Sequence, residues 1–174
     1  MRLTGAWGAV LLTGLVMMSP VYARTDGTVV TIAVADFDFI DSSGEAKDQQ
    51  AAHDARLAGL SQGLRADLGA AARYRVVPLA CALPDCRDGD PAALADGARR
   101  AGARLLLLGA VHKTSTLLLS TKLQLLDLQA NKLVFDRFLS FRGDNDEAWR
   151  RMEHFIARDL AQAVDDLPAD DRRR

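Results

Sequence analysis

The sequence predicts an α/β (α+β) domain, a single mixed sheet of about five strands with helices packed on it. Three observations carry this. Segments rich in β-branched and apolar residues alternate with Ala-, Leu- and Arg-rich segments of helical composition. One strand segment, Leu105-Leu106-Leu107-Leu108-Gly109-Ala110-Val111, is a near-continuous apolar run, as in a central strand covered on both faces. Its successors alternate apolar and polar residues, and an amphipathic stretch closes the chain. The predicted order is β-α-β-α-β-β-β-α.

Each element has its own reason. Val29 to Phe39 is β-branched and apolar before alternating Asp with Phe, and reads as one strand, ended by the turn signal Asp41-Ser42-Ser43-Gly44. From Asp48 to Ala72, residues of high helix propensity put Leu57, Leu60, Leu64 and Leu68 on one face. Tyr74 to Leu79 is a short strand, and Cys81 to Asp90 a loop rich in Pro, Asp and Gly. Asp90-Pro91 opens a second helix, Asp as N-cap and Pro at the first helical position, and Gly102 stops it. Arg104 to Lys113 is the central strand. In Ser115 to Leu128, Leu117, Leu119, Leu123 and Leu125 share a face opposite Ser120, Lys122 and Gln124. After the turn Gln129-Ala130-Asn131, Leu133 to Phe141 returns with Leu133, Phe135, Leu139 and Phe141 on one side. Arg137 falls on that same side, so it is either paired there or moved by a bulge. Asp144 with Glu147 resembles a capping box for a last helix whose apolar face is Trp149, Met152, Phe155, Ile156, Leu160 and Val164.

The chain of 174 residues is 49% hydrophobic and 26% charged with a formal net charge of −1, which excludes a disordered chain and gives no electrostatic case for nucleic acid. Arg2, the apolar stretch Leu3 to Met18, the Ser19-Pro20 break and Val21-Tyr22-Ala23 form the three-part secretory signal pattern, with cleavage expected between Ala23 and Arg24. The apolar stretch is about 16 residues, short of the ~20 a spanning helix needs, so no stable membrane insertion is expected after cleavage. The expected organisation is a signal peptide over 1–23, one globular domain over 24–167 and a polar tail over 168–174. A domain of that size buries about 70% of its unfolded surface and folds alone.

Candidate chemistry is sparse. Gly59-Leu60-Ser61-Gln62-Gly63 matches the G-x-S-x-G nucleophile elbow, but the elbow needs a strand before its serine, and Gln49 to Ala58 reads as helix. Read as G-x-x-x-G, the glycines instead let a neighbouring element pack closely. Asp36 and Asp38, alternate on a strand, and the nearby Asp41 are candidate ligands for a hard cation, but the calcium-loop offsets are broken at Ile40 and Asp41. Solvent-facing acids between the core aromatics Phe37 and Phe39 is the favoured reading. His53, His112 and His154 lie far apart without metal-ligand spacing and read as structural. No metal, cofactor or catalytic residue is expected. Cys81 and Cys86, the only two cysteines, are expected to form a disulfide in an exported chain and to shape a surface loop.

Ala101-Gly102-Ala103-Arg104 followed by Leu105 to Val111 resembles the glycine-bounded apolar strand of the TolB amino-terminal domain and its CsgG-like relatives. Leu125-Leu126-Asp127-Leu128, the turn, Asn131-Lys132-Leu133-Val134 and the opening strand Ile32 to Phe37 fit the same pattern. More closely, residues 29 to 160 resemble a secreted proteobacterial family known as a domain of unknown function. The resemblance rests on Asp36-Phe37-Asp38-Phe39, Tyr74-Arg75-Val76-Val77, Gly109 to Lys113, Arg142-Gly143-Asp144 and Asp146-Glu147-Ala148-Trp149. It implies an interaction module of the bacterial envelope. The expected function is therefore a non-catalytic periplasmic interaction or accessory module whose partner is an envelope protein. The alternatives are a periplasmic small-molecule-binding protein, with a pocket between sheet and helices, and a serine hydrolase centred on Ser61.

Overall fold

The computed structural model describes residues 29–80, 87 and 89–166. Among these, the elements are β1 (Val30–Val34), β2 (Asp38–Asp41), α1 (Gln50–Ala70), β3 (Tyr74–Val76), α2 (Pro91–Arg100), β4 (Leu105–Lys113), β5 (Leu118–Asp127), β6 (Lys132–Arg142) and α3 (Asp146–Asp165). They form one mixed sheet of six strands with three helices packed on it. The sheet order is β3-β1-β4-β5-β6, with β2 also paired to β4. β1 and β2 run parallel to β4, β1 is parallel to β3, and β4, β5 and β6 are antiparallel neighbours.

The predicted opening strand is two strands along the same side of β4. Val34 pairs with Leu107 and Asp38 with Ala110, so four steps on this side match three on β4. The extra residue reverses the alternation of side chains. Val30, Ile32 and Val34 face the large core, and Phe37 joins them fully buried, with Phe39 packed alongside. In an unbroken strand Phe37 would point to the opposite face.

The large core lies between the sheet and the pair α1 and α3. Leu57, Leu60, Leu64 and Leu68 of α1 meet Met152, Ile156, Leu160 and Val164 of α3 over Leu105, Leu107, Leu123 and Leu125. A leucine-to-alanine truncation at such a site costs about 2–5 kcal/mol. On the other face α2 covers only one end, where Ala95 and Ala98 pack with Ala33, Leu106 and Leu128. The N-cap of α2 is the predicted one: Pro91 is in the first turn and the Asp90 side chain accepts a hydrogen bond from the Ala93 N–H at 3.2 Å. Phe155, predicted on the buried face of α3, is 37% exposed.

The turn between β5 and β6 is held by Asp127. Its buried carboxylate accepts from the Gln129 and Ala130 N–H groups at 2.9 and 2.8 Å and pairs with Arg104 at 3.0 Å. A bulge follows: Leu125 pairs with Phe135 but Leu126 with Leu133, leaving Val134 unopposed. It turns Leu133 away from the core, 47% exposed. Arg137 keeps the side of Phe135, Leu139 and Phe141. Its guanidinium lies 5.3 Å from the Phe135 ring centroid and its Nε 3.8 Å from Asp159.

Candidate functional site

Ser61 lies inside α1, 1% exposed, with no strand before it. Its hydroxyl oxygen accepts a hydrogen bond from the Phe37 N–H at 3.2 Å. Four residues later, one turn along the helix, Arg65 donates to the Val34 carbonyl at 2.8 Å and to the Asp36 carboxylate at 2.6 Å. The break between β1 and β2 frees backbone groups that the ladder would have paired, and α1 supplies their partners. G-x-S-x-G is thus a packing motif here. Of its glycines only Gly63 is tight, its missing Cβ leaving the place taken by the Glu153 carboxylate; at Gly59 the space is open.

Asp36 is tied to Arg65 and half-buried, so it is not simply a solvent-facing acid. Asp41 turns to the Ser43 N–H at 2.8 Å. Asp36, Asp38 and Asp41 do not converge as ligands. Among the described residues, the group whose ligand atoms lie within 4.8 Å of one another is Asp67, Glu153 and His154, at the α1–α3 rim. His112 Nε2 lies 2.7 Å from Ser42 Oγ, and His154 Nδ1 3.0 Å from Asp67. Cys81 and Cys86, like Ala23 and Arg24, lie outside the described residues.

The concentrated chemistry is at Asp144, where four donors meet one carboxylate. Lys113 Nζ is 2.7 Å away, His53 Nε2 2.8 Å, Arg56 Nη1 3.0 Å and Trp149 Nε1 3.1 Å. The side chains of Lys113, His53 and Asp144 are 1%, 2% and 5% exposed. Glu45 closes the far side of Lys113 at 2.5 Å. Burial pushes the Asp144 carboxyl up, but hydrogen bonds from Lys113, His53 and Trp149 outweigh it and hold it at about 2, against 3.8. Burial likewise pulls the Lys113 ammonium down, and its bonds to Asp144 and Glu45 more than reverse that. The cluster ties β4, α1, α3 and the segment after β2 together through paired charges.

Sequence reasoning missed this cluster, although one signal was present. Lys113 follows Leu105, Leu107, Gly109 and Val111 at alternate positions, which puts its stem on the core face. Asp144 was expected to cap α3, yet the cap is Asn145, whose side chain accepts from the Ala148 N–H at 2.9 Å. Asp144 is drawn to the buried cations instead.

Beside the cluster runs a groove between α1 and α3 of about 530 Å³. Leu60 and Trp149 form its floor, Ala52, Ala55 and Gly59 keep it open, and Arg56, Arg150 and Glu153 stand around it. Burial and the nearby Asp67 raise the proton affinity of Glu153.

This architecture defines the chain as an α/β domain of TolB-like fold. The crystal structure of TolB from Acinetobacter baumannii matches 82% of the chain at a TM-score of 0.50 and 19% identity. The match takes in 30% of TolB, so the chain spans less than a third of that protein's length. The hypothetical protein CT253 from Chlamydia trachomatis matches at 0.52 and 12% identity, over 78% of this chain and 98% of its own. The NMR structure of E. coli LpoB matches at 0.48 and 12% identity, over 83% and 84%. By sequence, the chain belongs to the family described as a protein of unknown function (DUF2380), whose model matches residues 30–160. No curated protein matches it.

Proposed function

We propose that this chain is a non-catalytic interaction or accessory module of the bacterial envelope, exported by cleavage between Ala23 and Arg24. The α1–α3 groove carries the reading. It is open and apolar at its floor, and charges of both signs, Arg56, Asp146, Arg150 and Glu153, stand around it. Such a groove suits a protruding apolar side chain of a partner protein flanked by polar or charged neighbours. The buried ionisable groups beside it are engaged with one another. The envelope assignment rests on the signal pattern and on the resemblance to TolB-like domains.

A volume of about 530 Å³ also lies within the range of small-molecule sites, which keeps a ligand-binding role as the second reading. One substitution separates the two. A Cβ at Gly59 meets nothing within 4 Å, so Gly59→Trp fills the groove without disturbing the core. Wild-type protein recovered from the periplasm should begin at Arg24 and carry a cross-linked envelope protein that the variant loses. Native mass spectrometry showing a retained small molecule, displaced by Gly59→Trp, favours the ligand reading instead. An intact Met1 in the mature pool, or a variant that keeps every partner, refutes the proposal.

A further inference from the structure

We infer that β6 is the seat of a two-fold pairing with a second copy of this chain, its free edge joining antiparallel to the same edge of the partner copy. β6 ends the sheet and pairs only with β5 among the described residues. The Gly143 N–H donates to the Leu117 carbonyl at 2.9 Å, toward β5. By strand alternation the main-chain groups of Phe141, Leu139 and Arg137 turn inward, and those of Asp136, Phe138 and Ser140 turn to the open edge.

Aromatic residues gather on this edge. Of the six phenylalanines in the chain, Phe135, Phe138 and Phe141 lie on β6 and Phe155 stands over it, its ring centroid 6.0 Å from that of Phe141. Phe138 is 67% exposed. Phe135 and Phe141 already pack on the core from one face of the strand, so Phe138, on the other face, is the side chain a paired edge would cover.

The residue order of β6 is self-complementary, which argues for a second copy as the occupant. Antiparallel pairing about a two-fold axis keeps the same face of both sheets on the same side, so a residue meets one of its own parity. With the axis through Phe138, Phe138 meets Phe138, Phe135 meets Phe141 twice, Asp136 meets Ser140 and Arg137 meets Leu139. No like charges are opposed. An axis through Asp136 or Arg137 sets that residue against its own copy, and one through Leu139 sets Phe135 against Gly143 and loses the aromatic pairs. The register at Phe138 is also consistent with both α3 helices lying on one side, with Phe155 at the seam.

The test is sedimentation velocity of the full mature chain from micromolar to near-millimolar concentration, with Phe138→Glu beside it. A reversible dimer is expected, and the variant should raise its dissociation constant about 100-fold or more, since two carboxylates would meet at the axis. At concentrations where the wild type is monomeric, circular dichroism and thermal midpoint should be unchanged, because Phe138 is exposed in the single chain. A benzophenone amino acid placed at position 138 should cross-link to residues 136–140 of the other copy in a mixed-isotope sample. A monomer at every concentration, a dimer unaffected by Phe138→Glu, or a cross-link outside β6 overturns the inference. Cross-linking only to a different protein overturns the second copy as occupant. The groove reading is tested separately by Gly59→Trp, so either can fail alone.

Discussion

Asp144→Asn tests the buried cluster directly. The substitution keeps the shape of the side chain and removes the charge that faces Lys113, His53, Arg56 and Trp149. Breaking a buried, hydrogen-bonded ion pair from one side costs about 3–5 kcal/mol. Glu45 still faces Lys113, and the amide oxygen still accepts one bond, so the lower end applies, about 3 kcal/mol. The depression of the Asp144 carboxyl gives a similar size. Asp144 sits at about 2 in the folded chain against 3.8, and that depression corresponds to about 2 kcal/mol. A depressed carboxyl contributes fully above its unfolded value, and its contribution is lost as pH falls through the folded one. Wild-type stability should therefore decline between about pH 4 and pH 2, and the variant should lack that component. Urea unfolding followed by the fluorescence of Trp149, which donates to Asp144, reads both effects. Combining Asp144→Asn with Lys113→Met should cost less than the sum of the two single changes, because the second removes the orphaned cation. A loss below about 0.5 kcal/mol at pH 7, or an acid decline equal in both proteins, would refute the account.

Other predictions concern single groups. Ser61→Ala should destabilise by about 1–3 kcal/mol in urea unfolding, because it strips the buried Phe37 N–H of its partner; neither protein should react with a fluorophosphonate. Gly109→Ala should cost about 1–3 kcal/mol, since its Cβ would enter the fully buried Phe37 ring. Gly63→Ala should be neutral or slightly stabilising in the same assay. There the obstacle is the movable end of Glu153, and alanine favours the helix by about 1 kcal/mol. Cys81 and Cys86 should be joined in the exported protein, as mass spectrometry of unreduced peptides would show. Replacing both by serine should cost about 2 kcal/mol or less with the fold retained.

The sequence by itself determined the elements whose signal is local. The leucines of α1 at 57, 60, 64 and 68 are all buried, Asp90-Pro91 starts α2, and the alternation of β5 buries Leu119, Leu123 and Leu125 as read, whereas Leu117 lies before the strand and is exposed and Ser120 is buried. These follow from backbone period and terminal hydrogen bonding, which neighbouring residues encode. The tertiary structure alone decided what long-range partners impose. Phe37 and Phe39 reach the core only because one extra residue breaks the first strand, and the break survives only where Ser61 and Arg65 meet its backbone. Asp144 carries as good a capping signature as Asn145, yet Lys113 and His53, brought from distant elements, hold it in the cluster and leave the cap to its neighbour. A carboxylate beside buried cations gains more than one at an exposed helix end, because water screens the second and is excluded from the first. Which carboxylate meets those cations depends on strand order and helix packing, and no local pattern in the chain specifies either.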